Sequence, residues 1–415
     1  MKLQKDKSNL TYKDNNLYII ISVTLISVMG VMAINPALPA IGKAFQVPDE
    51  QIGLVMASFL IPIAIGTPIF GVLADRVGRK KILIPSLLLF ALGGILSAFA
   101  RDFRSLLEWR FLQGVGAASL ESLSLTVIAD VYSGRMLTAA MAFNASMIGL
   151  SATVYPLIGG GLAQLSWKYP FLLSLLALPI ALLVFASLKL PKTQSQRSVE
   201  DKDFKLATYL RSTWKSINNR SVLALLFAVL SLFILEFGSC FICIPLLAAN
   251  TLGASGVIIG TLLASMEITL ALFASQLGWF AQKFSEITLI KISFIVCAVS
   301  LLIAPLMTNV WLLFIPVLIF GAGLGIALPS IQTVFARLAP EDNRAGFMAM
   351  NVTLQSLGRA LGPALVGIGF GFVGIQGALY ASAIFALVTF IVLNCFLVKT
   401  TQKPQLLGNG EHYIA

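Results

Sequence analysis

The chain has 415 residues, of which 58% are hydrophobic and 11% charged, and its 29 Lys and Arg against 18 Asp and Glu give a formal net charge of +11. Soluble domains are about 25% charged, so this composition excludes a water-filled fold. It requires lipid as solvent, with backbone groups paired inside helices. With no soluble basic domain to carry it, the positive charge does not signal nucleic-acid binding; it suits an anionic membrane surface.

A bilayer crossing takes about 20 apolar residues. Twelve such segments follow one another: 17–39, 51–73, 81–99, 105–129, 137–164, 167–189, 221–247, 256–282, 287–306, 311–335, 345–370 and 374–398. The first is read as a helix, because more spans follow and no small-residue cleavage site ends it. Pro62, Pro68, Pro156, Pro316 and Pro363 fall inside spans, where membrane helices tolerate them. Alternating the spans from a cytoplasmic N-terminus gathers most Lys and Arg on one side, and only Lys43, Arg101, Arg104 and Lys168 reach the other. That asymmetry places both termini inside.

The expected organisation is a cytoplasmic tail (1–16), a six-helix bundle (17–189), a polar cytoplasmic linker (190–220), a second six-helix bundle (221–398) and a cytoplasmic tail (399–415). Phe204–Ile217 in the linker reads as a short surface helix. The halves echo each other at an offset of 207 residues. Gly71, Ala74 and Arg76 meet Gly278, Ala281 and Lys283; Gly114 and Gly116 meet Gly321 and Gly323; Tyr155-Pro156 meets Gly362-Pro363. Two repeated membrane halves point to a transporter with its substrate site between them.

No catalytic constellation, Walker motif, metal set or cofactor motif occurs. Cys240 and Cys243 lie in an apolar span, and the one histidine, His412, is in the tail. The expectation is a transporter, not an enzyme, without cofactor or metal, driven by an ion or substrate gradient. Its partners are a small-molecule substrate, protons and membrane lipids, and it acts as a monomer in a bacterial inner membrane.

The loop Gly71-Val-Leu-Ala-Asp75-Arg76-Val-Gly78-Arg79-Lys80-Lys81 resembles motif A of the major facilitator superfamily. Arg110-Phe-Leu-Gln113-Gly114-Val-Gly116 is similar to the fourth-helix motif of its twelve-helix drug:proton antiporter branch. Gly149, Tyr155, Pro156, Gly159 and Gly160 resemble the antiporter motif of the fifth helix, with Tyr-Pro where relatives have Gly-Pro; Gly362-Pro363 keeps that dipeptide in the second half. The resemblance implies two pseudo-symmetric six-helix bundles and export by alternating access. Uptake by proton symport is the less favoured reading, and a dedicated exporter of one metabolite, such as a siderophore or amino-acid derivative, is the alternative.

At the motif A turn, Gly71 and Gly78 permit close approach and a tight turn. Asp75, Arg76, Arg79 and Asp130 form a candidate conformational latch. The second half has Gln282 for Asp75 and Glu286 for Arg79, so the first half is expected to carry it in the main.

A charge at mid-membrane costs about 2.5–3.5 kcal/mol and needs a reason. Arg110, Glu121, Glu236, Glu267 and Arg359 are the deep charges. Arg110, Gln113 and Glu121 share a helical stripe, with Arg110 and Glu121 about 16 Å apart, so they are expected to line one cavity at two depths. Asn144, Ser151 and Tyr155 on the fifth helix, and Asn351, Gln355 and Arg359 on the eleventh, add polar cavity candidates. Glu236 is expected to approach Arg359. A carboxyl group held from water is costly to ionise, which makes Glu121, Glu236 and Glu267 the candidates for proton coupling.

Overall fold

The computed structural model describes residues 14–188, 220–338 and 344–397, without the side chains of Asp75, Ala336 and 344–349. The expected tails and linker, including the helix at Phe204–Ile217, lie almost wholly outside these residues. The described chain is helical throughout. Its elements are α1 (Asn15–Phe45), α2 (Asp49–Val77), α3 (Arg79–Ala98), α4 (Phe103–Val131), α5 (Gly134–Leu165), α6 (Tyr169–Ser187), α7 (Arg220–Thr251), α8 (Gly256–Ser275), α9 (Glu286–Leu306) and α10 (Phe314–Leu338). The last continuous stretch, Arg344–Phe396, breaks at Gly374 (φ 67°) into α11 (344–373) and α12 (375–396). That positive φ suits glycine and turns one overlong apolar run into two crossings.

Local chemistry sets the ends. Asp14 accepts from the Asn16 amide to cap α1, Asp102 and Ser105 form a reciprocal capping box on α4, and Ser255 and Ser285 cap α8 and α9. Gly78, at φ 107° and ψ 136°, makes the sharp turn between α2 and α3.

In the first half α3 packs on α4 and α6, α2 on α4, and α1 on α5. In the second half α9 and α8 pack on α10, and α7 runs beside α11. The Phe227–Phe385 ring contact ties α7 to α12. Two six-helix bundles result. They meet along two seams, α2 with α11 and α5 with α8.

One face of the molecule carries the α2–α3 turn and Arg135, Lys283 and Arg337; it is called the basic face. The other carries the starts of α2, α4 and α8.

Candidate functional site

Arg110 lies inside the first bundle. It is fully buried: both terminal nitrogens donate to the Gly30 carbonyl at 3.2 Å, Nε donates to the Val55 carbonyl at 3.3 Å, and Nη1 donates to Gln113 Oε1 at 2.7 Å. The Phe59 ring covers it with its centroid 4.1 Å from the guanidinium carbon. The expected shared cavity with Glu121 is therefore corrected. The helix of α4 stops after Ala117 and resumes at Leu120, so the stripe is not continuous, and Arg110 and Gln113 turn inward to join α1, α2 and α4.

Glu121 instead meets the other bundle. Its Oε2 lies 3.8 Å from Arg359 Nη1 of α11, with side-chain exposures of 44% and 32%. This is ion-pair distance but longer than a hydrogen bond. The guanidinium carbon sits 5.0 Å from the Phe233 ring and 5.7 Å from the Phe237 ring of α7. Arg359 Nε has no hydrogen-bond acceptor. Glu121 is ten residues from the end of α4, about 15 Å from the basic face. At that depth two partly exposed charges face each other from different bundles.

Behind this pair lie the carboxyl groups of Glu236 on α7 and Glu267 on α8, both buried and each with one oxygen unpartnered. Glu236 is within electrostatic reach of both Arg359 and Glu267, as expected for Glu236. Buried Cys240, Cys243 and Cys297 pack nearby. Among the described residues no His, Cys, Asp or Glu group could hold a metal ion. α7 is wound as a π-helix over Leu235–Cys243 and again over Leu247–Thr251. Such windings are rare and gather at functional sites; nothing in the sequence pattern signalled this one.

The remaining polar candidates are less open. Asn144 and Asn351, equivalent under the 207-residue offset, are both buried with an unpartnered Oδ1. Ser151 is buried and donates to the Ile148 carbonyl at 2.7 Å. Tyr155 is partly buried against the core, and Gln355 is partly buried on α11.

On the basic face, Arg79 Nε meets Asp130 Oδ2 at 2.7 Å, joining the start of α3 to the end of α4. Arg76 is exposed, and among the described residues a Cβ on Gly71 would meet nothing within 4 Å, so the close approach expected there is absent. The latch is expected mainly in the first half, yet the second carries an ion pair of its own at this face. Arg337 Nη2 meets Glu286 Oε1 at 2.8 Å. These are the offset equivalents of Asp130 and Arg79, with the charges exchanged. Carrying Asp130 forward by 207 would have found the pair.

The opposite face is shut. A Cβ on Gly53 would strike the Pro363 carbonyl oxygen, and one on Gly260 would strike that of Pro156. These two contacts are also offset equivalents. Gly160 and Gly256 pack against each other, and Gly159 lies against the Ala33 carbonyl. Gly362 lies 2.8 Å, measured from an added Cβ, from Ile234 O and Gly238 N, holding α11 against α7. Gly149 has no such neighbour within 4 Å among the described residues. Asn250 at the end of α7 donates to Asp49 at the start of α2 at 3.0 Å.

The family model of the Major Facilitator Superfamily matches residues 20–255 and 232–412. The chain is 26% identical over 357 residues to the class B tetracycline resistance protein of Escherichia coli, covering 83% of this chain and 86% of that protein. It is 26% identical over 358 residues to the quinolone resistance protein NorA of Staphylococcus aureus (strain MSSA476), covering 85% and 89%. A bacterial homologue of the human lysosomal transporter Spinster, solved in an inward-facing and occupied conformation, superposes with a TM-score of 0.75 at 15% identity, covering 93% of this chain and 97% of that one. The chain belongs to the major facilitator superfamily and resembles its drug:proton antiporters.

Proposed function

We propose that this transporter exports small amphipathic compounds in exchange for protons, by rocking its two bundles about a central cleft in a bacterial inner membrane, with both termini and the basic face cytoplasmic. The observation that carries the proposal is a run of charges in which Arg359 lies between Glu236 and Glu121, with Glu267 within reach of Glu236. Glu236 and Glu267 lie buried in the second bundle, and Arg359 reaches from beside Glu236 to Glu121 of the first. An ionised Glu236 competes with Glu121 for Arg359. A protonated Glu236 does not, and the guanidinium then holds the bundles together across the cleft. Proton occupancy is thereby tied to how firmly the bundles are joined, which is the differential interaction that alternating access requires.

The shut opposite face and the cleft 15 Å or so from the basic face fit a state that takes substrate from the cytoplasm. Resistance to drugs, the activity named for the tetracycline and quinolone relatives, suits the same reading. The positive-inside asymmetry of Lys and Arg supports the orientation. The proposed latch pairs, Arg79 with Asp130 and Glu286 with Arg337, tie neighbouring helix ends within each bundle so that each moves as a unit.

The test is active uptake of a fluorescent lipophilic cation into inverted membrane vesicles, for the wild type and for Glu236→Gln and Glu267→Gln. The expected result is accumulation that a proton ionophore abolishes and that Glu236→Gln removes while downhill exchange of the same cation persists. Accumulation insensitive to the ionophore, or full accumulation in both variants, would refute it.

A further inference from the structure

Near the shut face, α1 departs from an ideal helix. Pro36 and Pro39 lack amide hydrogens, so the carbonyls of Met32 and Asn35 lose their usual helical donors. The chain tightens there into a 3₁₀ turn over Asn35–Ala37, and the Leu38 amide donates to the Asn35 carbonyl instead. The Asn35 carbonyl is thereby paired, but its side chain is not. Asn35 is fully buried, and neither the nitrogen nor the oxygen of its side-chain amide has a hydrogen-bond partner among the described residues. The turn packs on α5 of its own bundle and on α8 of the other. Just before it, the Ala33 carbonyl lies against Gly159 of α5. The seam that shuts this face is therefore the one that seals the amide.

A buried amide without partners raises the free energy of the state that buries it. When α5 and α8 part, the turn is uncovered and water can pair both amide atoms. Asn35 thus interacts differently with the two states, and such a difference shifts a conformational equilibrium. We propose that Asn35 is a counterweight to the shut face: its unpaired amide opposes the close contacts of Gly53 with Pro363, Gly260 with Pro156 and Gly160 with Gly256, and so keeps the face able to open. The proposal needs the bundles to part here. It needs neither proton exchange nor a particular substrate.

The experiment follows maleimide labelling of Ala163→Cys in purified full-length protein, with the exposed Cys395 replaced by serine. Ala163 is buried on α5, its Cβ 3.5 Å from where one would stand on Gly256 of α8. Labelling there requires an open seam, so its rate follows the open fraction even when that fraction is small. The exposed Leu165→Cys serves as a control for reagent and fold. Asn35→Leu and Asn35→Ala, which remove the amide, should slow labelling about tenfold. Asn35→Asp, which puts a costlier group in the same place, should quicken it about tenfold. The opposite signs separate a counterweight from a packing role, because a residue needed only to fill space would loosen the seam in all three variants. Labelling at the parental rate or faster in Asn35→Leu and Asn35→Ala overturns the proposal, as does Asn35→Asp that labels no faster. A parent labelled at Leu165→Cys and never at Ala163→Cys overturns it together with the rocking of the bundles, whereas rates indifferent to Asn35 leave the rocking intact.

Discussion

Substituting Gly256 by valine should open the face that this structure closes. Gly256 begins α8 and rests on Gly160 of α5, so the contact joins the bundles. A Cβ there would sit 2.7 Å from the Gly160 carbonyl oxygen, whereas ordinary contact starts at 3.4 Å, so the helices must part by about 0.7 Å even before the valine methyls are placed. Overpacking of this size costs about 1–3 kcal/mol. The cost falls only on the state in which α5 and α8 touch, so the ratio of open to shut molecules rises about 5- to 150-fold. Spin labels on cysteines at Leu165 and Thr251, both exposed near this face on opposite bundles, with the exposed Cys395 replaced by serine, report the separation. The variant should show a longer distance population that the parent lacks. Gly161→Val is the control, since its Cβ meets nothing within 4 Å among the described residues. An unchanged distance in folded Gly256→Val, or an equal shift in the control, would refute the reasoning.

Three further outcomes are expected. A double-mutant cycle on Arg79 and Asp130, read by thermal unfolding, should give a coupling of about 1 kcal/mol, and exchanging the second pair as Glu286→Arg with Arg337→Glu should restore the transport that either single change lowers. Arg110→Lys should destabilise the protein by about 1–3 kcal/mol, visible as a lower unfolding temperature in detergent, because one ammonium cannot reach Gly30, Val55 and Gln113 together. Tyr155→Gly should widen the range of compounds transported in a competition assay, since it removes bulk from the fifth helix at the position whose offset equivalent is Gly362; an unchanged profile would contradict that.

The fold was legible in the sequence because lipid imposes so strict a pattern. Runs of about 20 apolar residues gave the twelve crossings, the echo at 207 residues gave the twofold repeat, and even the last helical stretch divides at Gly374 close to the expected boundary. The repeat carried more than was drawn from it: applied to Asp130, Gly53 and Asn144 it yields Arg337, Gly260 and Asn351, each of which the structure gives an equivalent setting. What the pattern hid depends on departures from ideal helices and on how the bundles approach. The interruption of α4 after Ala117 sends Arg110 and Glu121 to different surroundings. The π-winding of α7 leaves composition unchanged. The Glu121–Arg359 pair joins residues from separate halves, and no spacing within either half encodes it.

The measurement that bears most directly on the central claim is the sign of the pH change in proteoliposomes loaded with substrate and diluted into substrate-free buffer, with no initial pH gradient. Antiport predicts that the lumen acidifies as substrate leaves, and that Glu236→Gln abolishes the change while substrate still escapes. A lumen that turns alkaline would establish symport, and substrate loss from the wild type with no pH change would contradict proton coupling altogether.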